Sequence, residues 1–306
     1  AQIAAACRAL GYSLFIAGAQ AEADALLERG TALADGLPEG AFTAYGEDPR
    51  IVCRIYGGQT RCLLGYPEAA LRIASEGLAR ARACNNPHAI AWSLVVLSQI
   101  HRVLRVPAEA ERATNEAIEL SRRHRFPQWL AFAQQTRGWA LCHSGEAGRG
   151  LALIEEGLRR LYATGAVLHT TLFRCLLAEG CLLAGRPEAA LGHLEAAEAH
   201  ARTHGEQYMA PEIHRLHAGA LRACGAPAAE SERHLRTACD VARRQAARLW
   251  ELRAACDLVR LRRDQGRGTE APDLLAPVLA GFTEGFAFAD LAEARALLDC
   301  GTPDGE

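Results

Sequence analysis

The chain has 306 residues, of which 50% are hydrophobic and 23% charged, and its 34 basic and 36 acidic residues give a formal net charge of −2. This composition excludes a disordered chain, and the balanced charge gives no reason to expect a polyanionic partner. Every basic residue is arginine, which excludes a phosphate-binding loop ending in Gly-Lys, a lysine Schiff base and a Ser-x-x-Lys nucleophile.

Cysteine usage and hydropathy indicate the compartment. The 11 cysteines are dispersed and form no Cys-x-x-Cys pair, which favours buried thiols in a reducing, cytoplasmic environment. No apolar run is long enough to cross a membrane. The chain opens Ala-Gln-Ile and its only methionine is Met209, so we expect it to be a piece of a longer polypeptide.

A turn residue followed by an alanine-rich helical stretch recurs along the chain. The turn residues are Gly18, Gly65, Arg105, Gly145, Gly185, Gly225 and Gly266, at spacings of 47, 40, 40, 40, 40 and 41. The first interval is longer because it contains a Gly/Pro-containing loop at 36–49. Each unit has two stretches with apolar spacing near 3.6, which predicts a helical hairpin. A constant period indicates one supersecondary unit stacked repeatedly.

Small residues recur at matched positions around these turns. Seven residues before the turn residue are Gly58, Ser98, Gly138, Ala178 and Ala218. Five residues after it are Ala70, Ala110, Gly150, Ala190 and Ala271. Twelve residues after it are Gly77, Ala117, Gly157 and Ala197. Such residues let neighbouring helices approach closely, and a bulky side chain there would cost roughly 1–3 kcal/mol. Glu230 interrupts the pattern, so we expect a one-residue shift in the sixth hairpin, with Ala229 taking the small position.

These features predict an all-α fold, without strands. It is a right-handed α-solenoid of about seven tetratricopeptide-like helical hairpins, with a period of about 40 residues and a C-terminal capping helix. We expect one domain, 1–306, with hairpins at about 1–35, 48–84, 87–125, 127–164, 167–204, 207–245 and 247–284 and the cap at 287–299.

Four stretches carry a family resemblance: LLGYPEAALRIASEGLARAR (63–82), FPQWLAFAQQTRGWAL (126–141), EIHRLHAGALR (212–222) and the region 250–299, in which Phe282, Glu284, Gly285 and Phe286 lead into a helix with Asp290. The chain resembles, over nearly its whole length, the C-terminal tetratricopeptide region of bacterial AAA-like signal-transduction ATPases, often fused to class III adenylate/guanylate cyclase domains. It is more distantly similar to the repeats of maltose-regulator-like, LuxR-type activators.

The resemblance implies a sensor, scaffold or autoinhibitory arm of an ATP-dependent signalling protein. The catalytic residues of the cyclase and the ATPase belong to segments absent from this sequence, so none carries over. The matching residues are fold-forming positions, and no ligand residues transfer.

The first helix of each hairpin should line the concave face, with positions 13, 10, 6 and 3 before the turn pointing inward. The candidate binding residues there are Trp92, Gln99, Arg102, Phe132, Gln135, Trp139, Glu179, Arg215 and Arg222. Aromatic anchors beside arginines are typical of peptide-binding hot spots, because guanidinium groups hold carboxylates through paired hydrogen bonds. The alternative is that the aromatic residues are inter-repeat core and the arginines a solvated face.

Other chemistries are less favoured by the sequence. Arginines 253, 260, 262, 263 and 267 alternate with acids, which predicts salt bridges rather than nucleic-acid binding. The histidines His193, His200, His204, His214 and His217 share helix faces in pairs, and the sequence leaves open whether they bind a metal. We expect no cofactor, and no Gly-x-Ser-x-Gly motif or dinucleotide fingerprint indicates catalysis.

Two hypotheses follow for the function. The first is a non-enzymatic interaction and sensor scaffold that binds a protein or peptide, including the ATPase domain of its own parent, and neither nucleic acid nor membrane. The second is a receptor for a small-molecule effector, with Trp92, Trp139 and Arg215 as the wall of its pocket.

Overall fold

A computed structural model describes residues 1–38, 41–42 and 46–299 of the chain. Within these residues all regular structure is helical and no strand occurs, which confirms the all-α solenoid. None of the described helices is both long and apolar enough to span a bilayer. Part of the predicted 36–49 loop, as well as Cys300, lies outside the described residues.

The helices follow one another as antiparallel pairs. The pairs are α1 (Gln2–Ala17) and α2 (Gln20–Asp35), α3 (Pro49–Leu64) and α4 (Pro67–Ala83), α5 (Pro87–Val103) and α6 (Pro107–His124), α7 (Pro127–His143) and α8 (Ala147–Ala163), α9 (Thr170–Leu183) and α10 (Pro187–His204), α11 (Ala210–Ala223) and α12 (Ala228–Arg244), and α13 (Arg248–Asp264) and α14 (Ala271–Leu279). The last described helix is α15 (Ala289–Asp299).

The repeated turn residues end the first helix of each hairpin in the left-handed backbone region. Gly65 has φ 96°, and the amide of Tyr66 donates to the carbonyl of Arg61, so the chain reverses within two residues before Pro67 begins α4. Only Arg105 occupies this position without being glycine, with φ 58°. A second set at the turns between hairpins, which the sequence pattern did not reveal, shares this conformation: Asn85, Arg125, Gly165, Gly205 and Ala246.

The sixth hairpin departs from the predicted register. Its turn is one residue longer, because α12 begins at Ala228 and Pro227 is the residue before the helix. The small buried position is Ser231, whose hydroxyl donates to the carbonyl of Ala218 at 3.1 Å, whereas Ala229 is exposed. The predicted shift toward Ala229 is therefore wrong, since the extra turn residue moves the register in the opposite direction.

Small residues allow backbone contact between paired helices. A Cβ added to Gly150 would lie 2.4 Å from the carbonyl oxygen of Gly138, and one added to Gly138 would lie 2.7 Å from that of Gly150. Neither backbone oxygen can move aside without bending its helix. This pair confirms that the periodic small residues set the spacing within a hairpin.

Contacts between hairpins define two layers. Each first helix contacts the first helix of the next hairpin, from α1 and α3 through to α11 and α13. The first helices therefore form the inner layer around the superhelix axis, and their side chains form its inner wall.

The superhelix closes on itself after about five hairpins. Backbone amides of Gln207 and Tyr208 donate to the carbonyl of Ile16 at 2.9 and 3.1 Å, which joins the first hairpin to the sixth. Glu68 accepts from the amide of Gly285 at 3.0 Å, and the amide of Ala69 donates to Glu284 at 2.9 Å.

A third group of contacts ties the end of α5 to the C-terminal region. Arg253 donates to the carbonyl of Val103, and Arg105 pairs with Asp290 and Glu293 at 3.2 and 3.0 Å. We call these three groups of contacts the inter-turn seam. The seam encloses the inner wall, and the family-like stretch around Phe282–Asp290 supplies much of it.

Candidate functional site

The enclosed inner wall contains two neighbouring cavities. The aromatic chamber has a volume of about 290 Å³ and the charged chamber about 270 Å³. Helix α5 contributes Trp92 and Gln99 to the first and Arg102 to the second, while α7 contributes Phe132 to the first and Trp139 to the second. The two chambers therefore follow one another along the same pair of helices.

Six rings form a closed circuit around the aromatic chamber. In order they are Tyr12, Tyr56, Trp92, Trp129, Phe132 and His169, with successive centroids 4.2, 5.6, 4.9, 6.2 and 5.3 Å apart and 6.0 Å from His169 back to Tyr12. The indole N–H groups are used locally: Trp92 donates to the Tyr56 hydroxyl at 3.2 Å and Trp129 to His88 at 2.9 Å. The circuit thus presents an apolar, aromatic lining.

His169 closes this circuit and is held from both sides. Its ring nitrogens hydrogen-bond the hydroxyls of Tyr12 at 2.5 Å and Tyr208 at 2.7 Å. Burial lowers the pKa of His169 to about 4, so the ring is neutral at neutral pH. The buried Glu206 accepts from the backbone amides of His169 and Thr171 at 2.8 and 3.0 Å, capping the start of α9 and fixing the ring's position.

Amide side chains carry unused hydrogen-bonding capacity near the chamber. Gln59 donates to the Gln99 oxygen at 3.1 Å, but its own side-chain oxygen finds no partner among the described residues. Both amide atoms of the buried Gln135 are likewise without a partner within the described part of the chain. Gln59 and Gln99 line the aromatic chamber, where the Gln59 oxygen is itself buried.

Five arginines and five carboxylates line the charged chamber. They are Arg102, Arg105, Arg215, Arg253 and Arg260, with Glu179, Glu212, Asp257, Asp290 and Glu293. Arg215 holds Glu212 through two hydrogen bonds of 2.7 and 2.9 Å and reaches Asp257 at 3.0 Å. Arg260 bridges Asp257 and Glu293 at 2.8 and 3.1 Å.

Glu179 has a different partner from the other carboxylates. It contacts the imidazole of His143 at 3.1 Å. Burial alone would raise the pKa of Glu179, but the His143 hydrogen bond and the charges of His143, Arg215 and Arg102 outweigh it and lower the pKa to about 2. Glu179 is therefore ionised at neutral pH.

Arg102 differs from the other four arginines of the charged chamber in its lack of a direct acidic partner among the described residues. Only 7% of its surface is exposed, and no hydrogen bond or ion pair joins its side chain to any residue that the structure describes. Burial lowers its pKa, and the charges of Glu179 and Glu212 offset only part of this effect.

The structure brings together seven of the nine candidate residues. Trp92, Gln99 and Phe132 line the aromatic chamber, and Arg102, Trp139, Glu179 and Arg215 line the charged chamber. Gln135 is fully buried and lines neither, while Arg222 is exposed and pairs with Asp264 at 2.6 Å.

The aromatic residues of the inner wall agree with the packing alternative, and its arginines do not. The rings of Trp92, Phe132 and Trp139 belong to the hydrophobic core and also line the chambers. A solvated face is the wrong description of Arg215 and Arg253, whose side chains are 18% and 13% exposed.

Several chamber residues were missed by the sequence reasoning. Tyr12 and Gln59 stand six positions before Gly18 and Gly65, so the inward register applied to the first two hairpins would have found them. Trp129 and His169 lie outside that register, at the N-terminal ends of their helices. Trp129 reaches the chamber by stacking on Trp92 of the neighbouring hairpin, whereas His169 meets Tyr12 because the superhelix closes.

The histidines and C-terminal arginines have local partners. His200 stacks on His204 at 4.0 Å, and His214 and His217 contact His234 across α11 and α12. Nowhere in 1–38, 41–42 and 46–299 do three His, Cys, Asp or Glu residues form a group able to hold a metal ion. The predicted salt bridges are confirmed at 253, 260, 262 and 267, whereas Arg263 donates to the carbonyl of Leu297.

Stacked hairpins around an enclosed inner wall define a helical-repeat solenoid of the tetratricopeptide type. Among solved structures, a Rap protein complexed with competence and sporulation factor superposes with a TM-score of 0.64 at 14% identity, covering 97% of this chain and 79% of that chain. The Rap conjugation gene regulator of plasmid pLS20 in complex with the Phr* peptide gives 0.67 at 10% identity, covering 95% and 72%. At these identities the likeness establishes the fold.

A signal transduction ATPase with numerous domains and a tetratricopeptide repeat sensor, from Pyrococcus horikoshii, aligns with a TM-score of 0.45 at 14% identity, over 92% of this chain and 40% of that chain. A score this low carries no argument. No protein-family model and no curated protein matches the chain.

Proposed function

We propose that this chain is a non-enzymatic sensor scaffold that binds a short peptide, or an extended segment of a partner protein, along its inner wall. The observation that carries the proposal is that two chambers lie one after the other along α5 and α7. The first is lined by aromatic rings and the second by arginines and carboxylates. An aromatic pocket beside buried arginines matches a ligand that carries an apolar side chain and a charged group.

The spacing of the chambers sets the length of such a ligand. Trp92 and Arg102 are ten residues apart on α5. At 1.5 Å per residue this separation is about 15 Å, which about four to five extended residues span.

The two Rap structures support the proposal, because each was solved with a bound factor or peptide on the same fold. The chemistry of the charged chamber also favours binding over catalysis. Burial raises the pKa of the Cys256 thiol to about 12 and that of Cys175 well above its usual value, so neither lining cysteine is a thiolate nucleophile at neutral pH.

We further propose that the chain is the regulatory C-terminal region of a bacterial, cytoplasmic, ATP-dependent signalling protein, and that a partner is the parent's own ATPase domain. The family resemblance of the sequence supports this assignment. The inter-turn seam supplies a physical means of regulation, since a ligand in the chambers would change the balance between closed and opened superhelix.

The test is a selection of random hexapeptides on the purified chain, followed by isothermal titration of the selected sequences. We expect micromolar or tighter binding that Trp129→Ala weakens by ~10-fold or more, since a buried aromatic anchor contributes at least 1.4 kcal/mol. Tyr162→Ala, which removes an exposed outer-layer ring, is the control. Failure to select any peptide, or equal weakening by both variants, would contradict the proposal.

The second candidate is a receptor for a small-molecule effector. It is favoured by the two chambers, whose volumes of about 290 and 270 Å³ lie just below the range for small-molecule pockets. A metabolite screen followed by tryptophan emission separates the two candidates. A small molecule that changes emission and saturates at one equivalent, while no peptide binds, would favour the receptor.

A further inference from the structure

We propose that the charged chamber is a carboxylate-recognition site, in which Arg102 receives a carboxylate of the bound peptide. The inference rests on the proposed peptide-binding function and specifies the chemical group that this ligand presents. It rests on the Arg102 side chain, which lacks a direct partner among the described residues, whereas the other charged side chains of the chamber are paired.

Arg102 is buried and lines the charged chamber, yet it has no direct partner among the residues described. Its guanidinium has five N–H donors and no acceptor, and burying such a group without an anion is unfavourable. The charges of Glu179 and Glu212 act on Arg102 without touching it, and a ligand carboxylate entering the chamber can supply the direct partner.

The surrounding acids are already committed. Glu212 accepts from the Nε and Nη2 atoms of Arg215. Asp290 is held by Arg253 and Arg105, and Glu179 by His143. Among the described residues, none of these carboxylates forms a hydrogen bond or ion pair with the Arg102 side chain. Turning one of them toward Arg102 would break an existing contact elsewhere in the cluster.

The position of Arg102 suits a carboxylate brought by a peptide. It stands one helical turn beyond Gln99, in line with the aromatic chamber. Trp139, Leu176 and Met209 form apolar parts of the wall around the chamber, and exclusion of water strengthens a guanidinium–carboxylate pair. The carboxylate has two sources, the C-terminus of the peptide or an Asp or Glu side chain.

The experiment uses fluorescein-labelled random hexapeptides prepared in two pools, one with free C-termini and one amidated. Peptides selected by the whole chain are titrated against the wild type, Arg102→Met and the control Arg222→Met. Arg102→Met keeps an unbranched apolar stem and removes the charge. Arg222 is an exposed arginine on the same inner layer.

We expect Arg102→Met to raise Kd by ~30-fold or more and Arg222→Met to change it by less than ~3-fold. If peptides are selected only from the pool with free C-termini, the group bound by Arg102 is the C-terminal carboxylate. Selection from both pools, with loss of binding on Glu→Gln or Asp→Asn exchange in the peptide, identifies a side chain. Peptides that bind wild type and Arg102→Met equally would overturn the inference while leaving the peptide-binding function intact.

If no peptide binds, the proposed function fails and the inference is tested separately. Thermal unfolding is then measured with succinate, citrate and inorganic phosphate. Stabilisation of the wild type by the carboxylates, but not of Arg102→Met, supports carboxylate recognition without a peptide. No effect, or equal effects on both proteins, overturns it.

Discussion

Arg253 of α13 and Asp290 of the C-terminal helix α15 form a nearly buried ion pair. The Nε and Nη2 atoms of Arg253 both donate to one Asp290 oxygen, at 2.8 and 2.7 Å, and the two side chains are 13% and 5% exposed. The other Asp290 oxygen accepts from Arg105 at 3.2 Å. One carboxylate therefore holds α15 against both α13 and the end of α5.

The first prediction concerns this carboxylate. Asp290→Asn should lower the free energy of unfolding by about 3–5 kcal/mol, because it removes the closest charge partner of the buried Arg253, whose other carboxylate, Glu212, lies 3.8 Å away. Asp264→Asn is the matched control: it breaks the exposed pair with Arg222, where an effect below about 1 kcal/mol is expected. Urea denaturation measures both. Equal losses would show that the seam contributes no more than a surface contact.

The second prediction concerns Arg102 in the absence of ligand. Arg102→Met should raise the free energy of unfolding by about 1–2 kcal/mol, since it removes a buried cation that has no direct partner in the described structure. Arg215→Met should have the opposite effect, because it leaves Glu212 without its paired arginine. A loss of stability for Arg102→Met would contradict the account of the charged chamber.

The third prediction concerns pH. Burial lowers the pKa of His169 to about 4, below its value in an unfolded chain, about 6.5. Between these values the unfolded state binds more protons, so the His169 contribution is full above pH 6.5 and is lost as the pH falls toward 4.

We expect the stability difference between pH 7 and pH 5 to be about 2 kcal/mol smaller in His169→Asn than in the wild type. Asparagine tolerates the left-handed conformation of His169, which has φ 69°. Guanidinium denaturation at the two pH values gives the difference. The same pH dependence in both proteins would mean that His169 is not held neutral.

The fourth prediction tests the small-residue pattern within one helix. Gly150→Ala should destabilise the chain by about 1–3 kcal/mol, since its Cβ would meet the backbone of α7. Gly148, two residues earlier in α8, has open space around it, so Gly148→Ala should be neutral or stabilising by about 0.5–1 kcal/mol. Thermal denaturation of the two variants measures the difference. Destabilisation of both variants to the same extent would contradict the packing argument.

The sequence predicts the repeat and the inner layer well, because both depend on local periodicity. The turns at Gly65 and Gly145 repeat every 40 residues, and each fixes the positions around it. The error at Ala229 arose from one extra turn residue before α12, which apolar spacing alone does not show.

The closure of the superhelix was not predictable in the same way. Contacts such as Ile16 with Gln207 or Val103 with Arg253 join residues 150 or more positions apart. They depend on small rotations accumulated over five hairpins. The local signal was Arg105, which takes a glycine position and whose guanidinium reaches α15. The six-ring circuit depends on the same closure.

The most direct measurement of the central claim is ¹⁹F NMR of the chain labelled with 5-fluorotryptophan, titrated with a selected peptide. The four tryptophans are Trp92 and Trp129 in the aromatic chamber, Trp139 in the charged chamber, and Trp250, which lines neither. We predict large shifts for the first three resonances and a small one for Trp250. Peptide binding that leaves Trp92, Trp129 and Trp139 unshifted would contradict recognition along the inner wall.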